Sequence, residues 1–309
     1  MLSAEVGRIR GQVRRRLRGF QSRFDAPTNA QLAELRAGVA ELRDGLAELR
    51  AGVAELHDGQ AKLLRTSRAQ YDDFGALRQK LIAVRRSDAY AATFENRRPL
   101  VSVPIATYNA AELLVERAIP SVLAQTYDHW EVVVVGDGCT DDTASRIELL
   151  GDPRIHFANM PFRTVYPDAP HDRWFVSGAA AWNRAVELCR GEWIAPLDDD
   201  DELLPEHMGT LLDLALERRA EFVYGGLEVI GDPRFPYLFS FPPVMFRTGM
   251  QAALYLRALE FFECDAHSWK IEEPTDWNVV RRMRDAGVIM AAIDQPVARY
   301  YPSFGAWRD

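Results

Sequence analysis

Residues 193–206 read WIAPLDDDDELLPE, and this stretch decides the fold. A short apolar run leads into four consecutive aspartates, and a leucine-rich segment containing Pro205 follows them. The apolar run predicts a buried strand, and Pro205 is typical of the first turn of a helix. The acids therefore stand at the point where a strand leaves a sheet and a helix begins.

Four adjacent carboxylates repel one another, and a helix N-terminus needs only one or two acids to complement its dipole. A divalent cation would turn that repulsion into binding. Mg²⁺ or Mn²⁺ fits best, because these hard cations take one or two protein carboxylates and complete their shell with substrate phosphates. The alternative is that the aspartates only cap the following helix.

The rest of residues 99–309 also alternates between short apolar runs and helical patterns. Short apolar runs occur at 100–105, 131–135, 154–160, 192–197 and 221–226. Helical patterns separate them at 111–125, 141–150, 177–189 and 205–218. This alternation predicts an α/β domain with a mainly parallel, Rossmann-like sheet flanked by helices. Polar clusters follow three of the strands (ATYN at 106–109, GDGCTDDT at 136–143 and DDDD at 198–201), which predicts an active site at the carboxyl edge of the sheet.

The first third of the chain is different. LAELRAGVAELRDG (32–45) recurs as LAELRAGVAELHDG (46–59), and both copies place apolar residues three and four apart. The pattern predicts a heptad-repeat coiled coil over residues 31–84, most simply a parallel dimer. Glycine recurs at every seventh position, as Gly38, Gly45, Gly52 and Gly59, and each costs about 1 kcal/mol of helix propensity relative to alanine. Such a helix needs a partner; the alternative is one amphipathic helix lying on its own catalytic domain.

Residues 1–30 are basic, and their apolar residues again fall three or four apart. They predict an amphipathic helix that either lies on an anionic membrane surface or extends the coiled coil. Residues 85–98 lose the periodicity and are predicted to be a linker.

Charge is divided unevenly along the 309 residues. Residues 1–98 carry 19 Lys/Arg against 12 Asp/Glu, whereas residues 99–309 carry 18 against 33. A domain with this excess of negative charge would repel the phosphates of a nucleic acid, which argues against nucleic-acid binding. The three cysteines have no metal-like spacing, no apolar run is long enough to span a bilayer, and no secretory signal precedes the basic segment. We therefore expect a cytoplasmic protein, with possible peripheral contact at the cytoplasmic membrane face.

Three stretches closely resemble the family 2 glycosyltransferases of the GT-A fold: VSVPIATYN (101–109), ERAIPSVLAQTYDHWEVVVVGDGCTDDT (116–143) and GEWIAPLDDDDELLPEH (191–207). The resemblance extends over residues 99–230 and more weakly to about 300, and it leaves out residues 1–98. It implies a GT-A glycosyltransferase domain at 99–309. Two prolines depart from the expected pattern: Pro104 inside the first strand, and Pro120, which should kink or break the first helix.

The resemblance also implies roles for individual residues. By this resemblance, Asp198 and Asp200 are the two acids of a DxD motif and bind the metal, with Mn²⁺ or Mg²⁺ as cofactor. The residues implied to bind the nucleotide sugar are Thr107, Tyr108, Asn109, Asp137, Asn183, Asp198 and Asp199. Asp276, in EEPTDW, matches the general base that deprotonates the acceptor hydroxyl.

From the residues alone, Asp276 is an ordinary acid near a helix start, and Glu272 and Glu273 are rivals for the role of base. Other candidates are open between function and structure. They are His171, Asp172, Arg173 and Trp174 in a proline-rich loop (161–176), His267, and Arg299, Tyr300 and Tyr301 near the C-terminus.

Together these features predict a metal-dependent, inverting glycosyltransferase. It would move a sugar from a nucleoside diphosphate to a hydroxyl acceptor such as a glycan, a lipid-linked glycan or another polysaccharide precursor. The expected partners are that donor, that acceptor and a second copy of the chain. The alternatives are a coiled-coil scaffold carrying an inactive nucleotide-sugar-binding domain, and a nucleotidyltransferase; the latter lacks a glycine-rich basic loop after the first strand.

Overall fold

The structure is a computed structural model that describes Arg14, residues 29–71 and residues 74–302. The chain divides into two units, residues 1–66 and residues 67–309. The predicted amphipathic helix of residues 1–30 lies outside the described residues, apart from Arg14, Asn29 and Ala30.

A single long helix, α1, runs from Asn29 to Tyr71 and carries the heptad repeats. Alanine, leucine, glutamate and arginine favour this helix and offset its four glycines. Its apolar stripe is solvent-exposed; for example, Val39 is 51% exposed, Leu42 76% and Leu49 70%. The coiled coil itself stays a prediction, since the structure holds one chain.

The second unit is an α/β domain whose helices surround one sheet. Its helices are α2 (Phe74–Arg85), α3 (Asp88–Thr93), α4 (Ala111–Leu113), α5 (Ile119–Leu123), α6 (Thr143–Leu150), α7 (Pro170–Val176), α8 (Ala179–Leu188), α9 (His207–Arg218) and α10 (Thr275–Ala286). Its strands are β1 (Val101–Thr107), β2 (Trp130–Gly136), β3 (Ile155–Asn159), β4 (Trp193–Ile194), β5 (Glu202–Leu203), β6 (Phe222–Val229), β7 (Tyr237–Leu238), β8 (Ala253–Leu256) and β9 (Met290–Tyr300).

The strands form a nine-stranded sheet in the order β3-β2-β1-β4-β8-β6-β9-β5, with β7 beside β6. The first four strands pair in parallel, and β6 and β9 are parallel too, whereas β8, β5 and β7 run antiparallel to their neighbours. The predicted α/β sheet is confirmed. β1 and β2 are buried almost throughout, which explains their unbroken apolar sequences.

Residues 85–98 are not the linker that the sequence predicts. Ser87 caps α3, and the chain around it packs on the domain core, with Leu81 of α2 and Phe94 after α3 only 2% and 5% exposed. The buried carboxylate of Glu221 fixes this segment by accepting hydrogen bonds from Arg85 Nε at 2.6 Å and from the Tyr90 hydroxyl at 2.8 Å. The segment looked like a linker because its few anchors follow no helical period.

The first helix is not broken at Pro120. A π-helical turn, Leu114–Ala118, joins α4 to α5, and Pro120 occupies the first turn of α5. Widening the helix here spares the carbonyl of Glu116 a clash with the proline ring. The turn also presents Arg117, whose guanidinium donates to the Asp200 carbonyl at 2.6 Å and lies 3.9 Å from the Tyr301 ring centroid.

Candidate active site

A cavity of about 1350 Å³ opens beyond the carboxyl ends of β1 and β4. Asp198, Asp200 and Asp276 all line it, although Asp276 lies 76 positions after Asp200 in the sequence. The first two follow β4, and the third stands in the first turn of α10. The fold thus brings two acids of the aspartate run and Asp276 to the lining of one cavity.

The acids at the floor of this cavity disfavour one another's ionisation. Asp198 is open to the water of the cavity, yet protein atoms surround it on most sides. Loss of solvation, then the charges of Asp201, Asp200 and Asp276, raise its pKa well above the usual range. Loss of solvation also raises the pKa of Asp276 and of Asp200, and the Arg117 guanidinium partly offsets the effect on Asp200. A bound cation would offset the repulsion among these carboxylates, so the site favours cation binding.

Asp201, the last aspartate of the run, is fully buried and is not part of the cavity lining. Its carboxylate accepts hydrogen bonds from Gln251 Nε2 at 2.9 Å and from the Tyr301 backbone N–H at 2.8 Å. Burial raises its pKa to about 7. Asp201 thus ties the aspartate turn to two segments that themselves line the cavity.

Among the three candidate bases, only Asp276 lines the cavity. It accepts a hydrogen bond from the Trp277 backbone N–H at 2.6 Å, which fixes its rotamer at the helix start. Glu273 is buried and paired with Arg281 at 2.7 Å. Glu272 is exposed and ends a short 3₁₀ turn in the left-handed conformation, with a φ of 55°. The geometry favours Asp276 over both glutamates.

The predicted base and ribose site, Asp137, is covered by a loop. Its carboxylate accepts hydrogen bonds from the Thr164 backbone N–H at 2.9 Å, the Thr164 hydroxyl at 2.6 Å and the Tyr166 hydroxyl at 2.5 Å. On the same loop, Arg163 stacks over Tyr108, 3.5 Å from the ring centroid. Sequence reasoning missed Arg163 and Tyr166, because their meeting with Asp137 and Tyr108 depends on the loop path.

Other predicted nucleotide-sugar residues hold the backbone in place. Asn109 accepts the backbone N–H of Thr140 at 2.8 Å and so joins the first two polar clusters. Asn183 exchanges two hydrogen bonds with the backbone of Cys264, at 2.8 and 2.9 Å, and does not line the cavity, so its contact with the donor stays a prediction. Thr107 is buried beside Asp199, whose pKa burial raises to about 6 against the opposing effect of the Thr107 hydroxyl.

The residues whose role the sequence leaves open divide into those that line the cavity and those that do not. Trp174, Tyr300 and Tyr301 line the cavity; burial and then the surrounding aspartates raise the pKa of Tyr300 to about 12. His171, Asp172, Arg173, His267 and Arg299 do not line it. Arg173 caps the carbonyls of its own loop, His267 lies beside Asp265, and Arg299 pairs with Glu228 at 3.0 Å and Glu202 at 3.3 Å.

Within residues 29–71 and 74–302, no three His, Cys, Asp or Glu side chains form a metal cage of their own. Asp198 and Asp200 nevertheless fit a cation such as Mg²⁺ or Mn²⁺, which keeps water and substrate phosphates as its remaining ligands. None of the helices described is both long enough and apolar enough to cross a membrane.

Comparison with known proteins agrees with this site. The sequence profile described as "Glycosyl transferase family 2" matches residues 102–169 and 171–265, just over half of the chain. The match covers the strands that deliver the aspartates and ends before Asp276.

Several curated proteins are similar over parts of the chain. The putative teichuronic acid biosynthesis glycosyltransferase TuaG of Bacillus subtilis is 33% identical over 144 residues, covering 46% of this chain and 52% of TuaG. The putative colanic acid biosynthesis glycosyl transferase WcaA of Escherichia coli is 28% identical over 216 residues, covering 57% and 71%. The Escherichia coli enzyme named UDP-Glc:alpha-D-GlcNAc-diphosphoundecaprenol beta-1,3-glucosyltransferase WfgD is 30% identical over 133 residues, covering 43% and 47%. The chain thus spans about half the length of two of these relatives.

Among solved structures, residues 1–349 of Staphylococcus aureus TarS superpose with a TM-score of 0.52 at 16% identity. The superposition covers 65% of this chain and 60% of the TarS chain. At this identity the likeness establishes a shared GT-A-type fold.

Proposed function

The chain belongs to glycosyl transferase family 2, and from that premise we propose that it is a metal-dependent, inverting enzyme. It would transfer a sugar from a nucleoside-diphosphate sugar to a hydroxyl group of a glycan or lipid-linked glycan. One observation carries the proposal: Asp198, Asp200 and Asp276 line a single cavity. The relatives named for teichuronic and colanic acid biosynthesis support an acceptor used in polysaccharide assembly.

Asp198 and Asp200 would hold the divalent cation, which when bound neutralises the charge that builds on the leaving diphosphate. The chain's own contribution is to fix these carboxylates. Arg117 holds the Asp200 carbonyl, and Asp201 anchors the end of the turn. The two metal-binding side chains are thereby kept at the floor of the cavity before substrate arrives.

Asp276 would act as the base. Its pKa is raised by burial, which makes its carboxylate a stronger proton acceptor than an exposed aspartate. The acceptor hydroxyl would lose its proton to Asp276 as its oxygen bonds to the anomeric carbon. The bond from that carbon to the diphosphate oxygen breaks on the opposite face, and the configuration inverts.

The nucleotide base would lie against Tyr108 and the 161–166 loop. Asp137 already has its carboxylate oxygens engaged by Thr164 and Tyr166, so it would shape this pocket chiefly through that loop. Arg163 covers one face of Tyr108, and its planar guanidinium would in turn stack on the base.

The helical stripe of α1 supports a homodimer. A monomer would leave its seven-residue-spaced leucines and valines in water, with Leu42, Leu56 and Leu63 each more than 70% exposed. A parallel coiled coil would cover them. We also propose that basic residues 1–30 hold the enzyme at the cytoplasmic membrane face.

A thermal-shift panel tests the donor site. Nucleoside diphosphates and nucleotide sugars are added with and without Mn²⁺ to the wild type and to Asp200→Asn. We expect stabilisation that requires both nucleotide and Mn²⁺ in the wild type and is lost in the variant. A nucleotide shift that ignores Mn²⁺ would contradict the metal-dependent mechanism.

Asp276→Asn tests the base. Transfer and slow donor hydrolysis should fall at least a hundredfold, because general base catalysis typically contributes about 10²–10⁴-fold, while the nucleotide–Mn²⁺ shift persists. Glu272→Gln, on an exposed residue outside the cavity, is the matched control and should keep wild-type turnover. Normal turnover in Asp276→Asn would assign the base elsewhere.

A further inference from the structure

The cavity has a second region whose chemistry differs from the acidic floor. Its volume, about 1350 Å³, exceeds the roughly 300–1000 Å³ of common ligand pockets, so it has room for an acceptor beside the donor. The additional lining comes from the ends of β6 and β7 and from residues 244–250. Six of its side chains form what we call the apolar wall: Leu227, Leu238, Val244, Met245, Phe246 and Met250.

The segment that builds the apolar wall is fixed to the domain. The hydroxyl of Tyr224, a buried residue of β6, donates to the Ser240 carbonyl at 2.6 Å, and Arg284 of α10 donates to the Pro243 carbonyl at 3.2 Å. The wall is nevertheless incompletely covered, since Val244 is 49% exposed and Phe246 60%. Exposed apolar side chains fixed around a cavity indicate a surface that binds an apolar group.

Phe246 provides a second, independent indication. Its φ is +62°, in the left-handed region that a bulky side chain adopts at a cost of order 1–3 kcal/mol. This backbone places the phenyl ring at the cavity lining, where it stays largely in water. Strain that exposes an aromatic ring to a cavity does not serve folding of the free chain, and it is consistent with a ligand contact.

Arg247 supplies the one positive charge in the described cavity lining, whose other charged residues are Asp198, Asp200, Asp232 and Asp276. Its side chain is exposed and has no ion-pair partner in the part of the chain that the structure describes. Asp232 is already held by Arg234, at 2.8 Å. The guanidinium of Arg247 is therefore available to an anionic ligand.

Resting on the proposed function, we infer that the acceptor is a phosphate-bearing lipid-linked sugar. Arg247 binds its phosphate, and the apolar wall binds the first part of its hydrocarbon chain. The apolar wall itself offers a plain glycan no hydrogen-bond partner for the hydroxyls that it would bury there. The donor's diphosphate has its own site at the aspartates, which leaves Arg247 for the acceptor.

Binding of small probes to the full chain tests the inference without needing the natural substrates. Geranyl diphosphate, geraniol and inorganic pyrophosphate are titrated calorimetrically in EDTA, so that no cation at the aspartates can hold the diphosphate. We expect geranyl diphosphate to bind at least tenfold more tightly than pyrophosphate. Arg247→Gln should weaken geranyl diphosphate about tenfold and leave geraniol unchanged.

Phe246→Asn removes the ring while keeping a residue that tolerates positive φ, and it should weaken both geranyl ligands several-fold. Two matched controls should change neither: Arg146→Gln, a paired arginine of α6 outside the cavity lining, and Leu149→Asn, an apolar residue of α6 that is 85% exposed.

Three results would overturn the inference. Binding of geranyl diphosphate to Arg247→Gln as tight as to the wild type would show that Arg247 does not hold the phosphate. Pyrophosphate binding as tight as that of geranyl diphosphate would show an anion site with no lipid part. A loss of nucleoside-diphosphate affinity in Arg247→Gln, measured with Mn²⁺, would assign the arginine to the donor. Failure of the proposed function is separate: the wild type would then show no nucleotide–Mn²⁺ shift.

Discussion

Replacing Arg85 by methionine should destabilise the catalytic domain, although Arg85 lies outside the family match. Glu221 is fully buried, and its carboxylate faces Arg85 Nε at 2.6 Å and Nη2 at 2.7 Å. Removing one partner of a buried pair costs about 3–5 kcal/mol, because the other charge is left uncompensated.

We expect a smaller loss here, about 2–3 kcal/mol. The Arg85 side chain is 31% exposed, so water would partly solvate the remaining carboxylate. Glu221 would also keep hydrogen bonds from the Tyr90 hydroxyl at 2.8 Å and the Ile289 backbone N–H at 2.7 Å. The hydrogen bond with Glu221 is also the first cause of the raised pKa of Arg85, so it stabilises the charged form of the arginine in the folded protein.

Urea unfolding of the full chain, followed by tryptophan fluorescence, measures the effect as a fall in the midpoint. Arg98→Met is the matched control, because Arg98 pairs with Asp128 where the two side chains are 68% and 73% exposed. Such a pair contributes less than about 1 kcal/mol. Adding Glu221→Gln to Arg85→Met should recover part of the loss, since no buried charge then remains.

The contacts of residues 81–94 with the domain core also set the N-terminal boundary of the domain. Burial of Leu81 and Phe94 contributes about 1.5–3 kcal/mol each, in addition to the ion pair. Removing residues 1–98 therefore takes away much of a typical 5–15 kcal/mol, whereas removing residues 1–73 spares all of these contacts. Equal urea midpoints for the two truncations, or for Arg85→Met and Arg98→Met, would refute the reasoning.

Three further predictions concern the titrating acids and the N-terminal segments. Because the pKa of Asp201 is raised to about 7, the folded metal-free protein binds more protons than the unfolded chain near neutral pH, so its unfolding free energy should fall by roughly 1 kcal/mol between pH 6.5 and 8. Asp201→Asn should reduce that slope by the contribution of Asp201 and leave the part that comes from Asp198, whose pKa is also raised. The window avoids His207, whose lowered pKa of about 4 makes acidification destabilising only below pH 6.5. Replacing both Leu42 and Leu49 by lysine should convert a dimer to a monomer in light scattering, and a dimer that persists would refute the coiled coil. Deleting residues 1–28 should abolish co-sedimentation with anionic liposomes, and unchanged binding would end the membrane proposal.

The sequence predicted most of what backbone chemistry and burial control. β-Branched apolar runs locate β1 and β2, and the carboxyl-edge rule brings Asp198 and Asp200 to one site. Asp276 required the family resemblance, because an acid in a first helical turn is common.

What the sequence did not predict depends on tertiary contacts between distant residues. The three-and-four spacing of Leu77, Leu81 and Val84 is the same whether the partner is another helix or the domain core. Here Leu81 belongs to the domain core and Leu77 packs against it. Arg163 and Arg247 lie in irregular loops, where no period predicts which side chain faces a cavity.

The buried Asp201 has a consequence for the order of events in a catalytic cycle. Its carboxylate joins the aspartate turn, where the donor is proposed to bind, to Gln251 and Tyr301, which line the cavity beside the apolar wall. A shift of the turn on donor binding would be transmitted directly to the acceptor side. The two substrates should then bind cooperatively, each changing the affinity of the other by the same factor, as thermodynamic reciprocity requires. In steady-state kinetics this coupling makes the apparent Michaelis constant for either substrate depend on the concentration of the other.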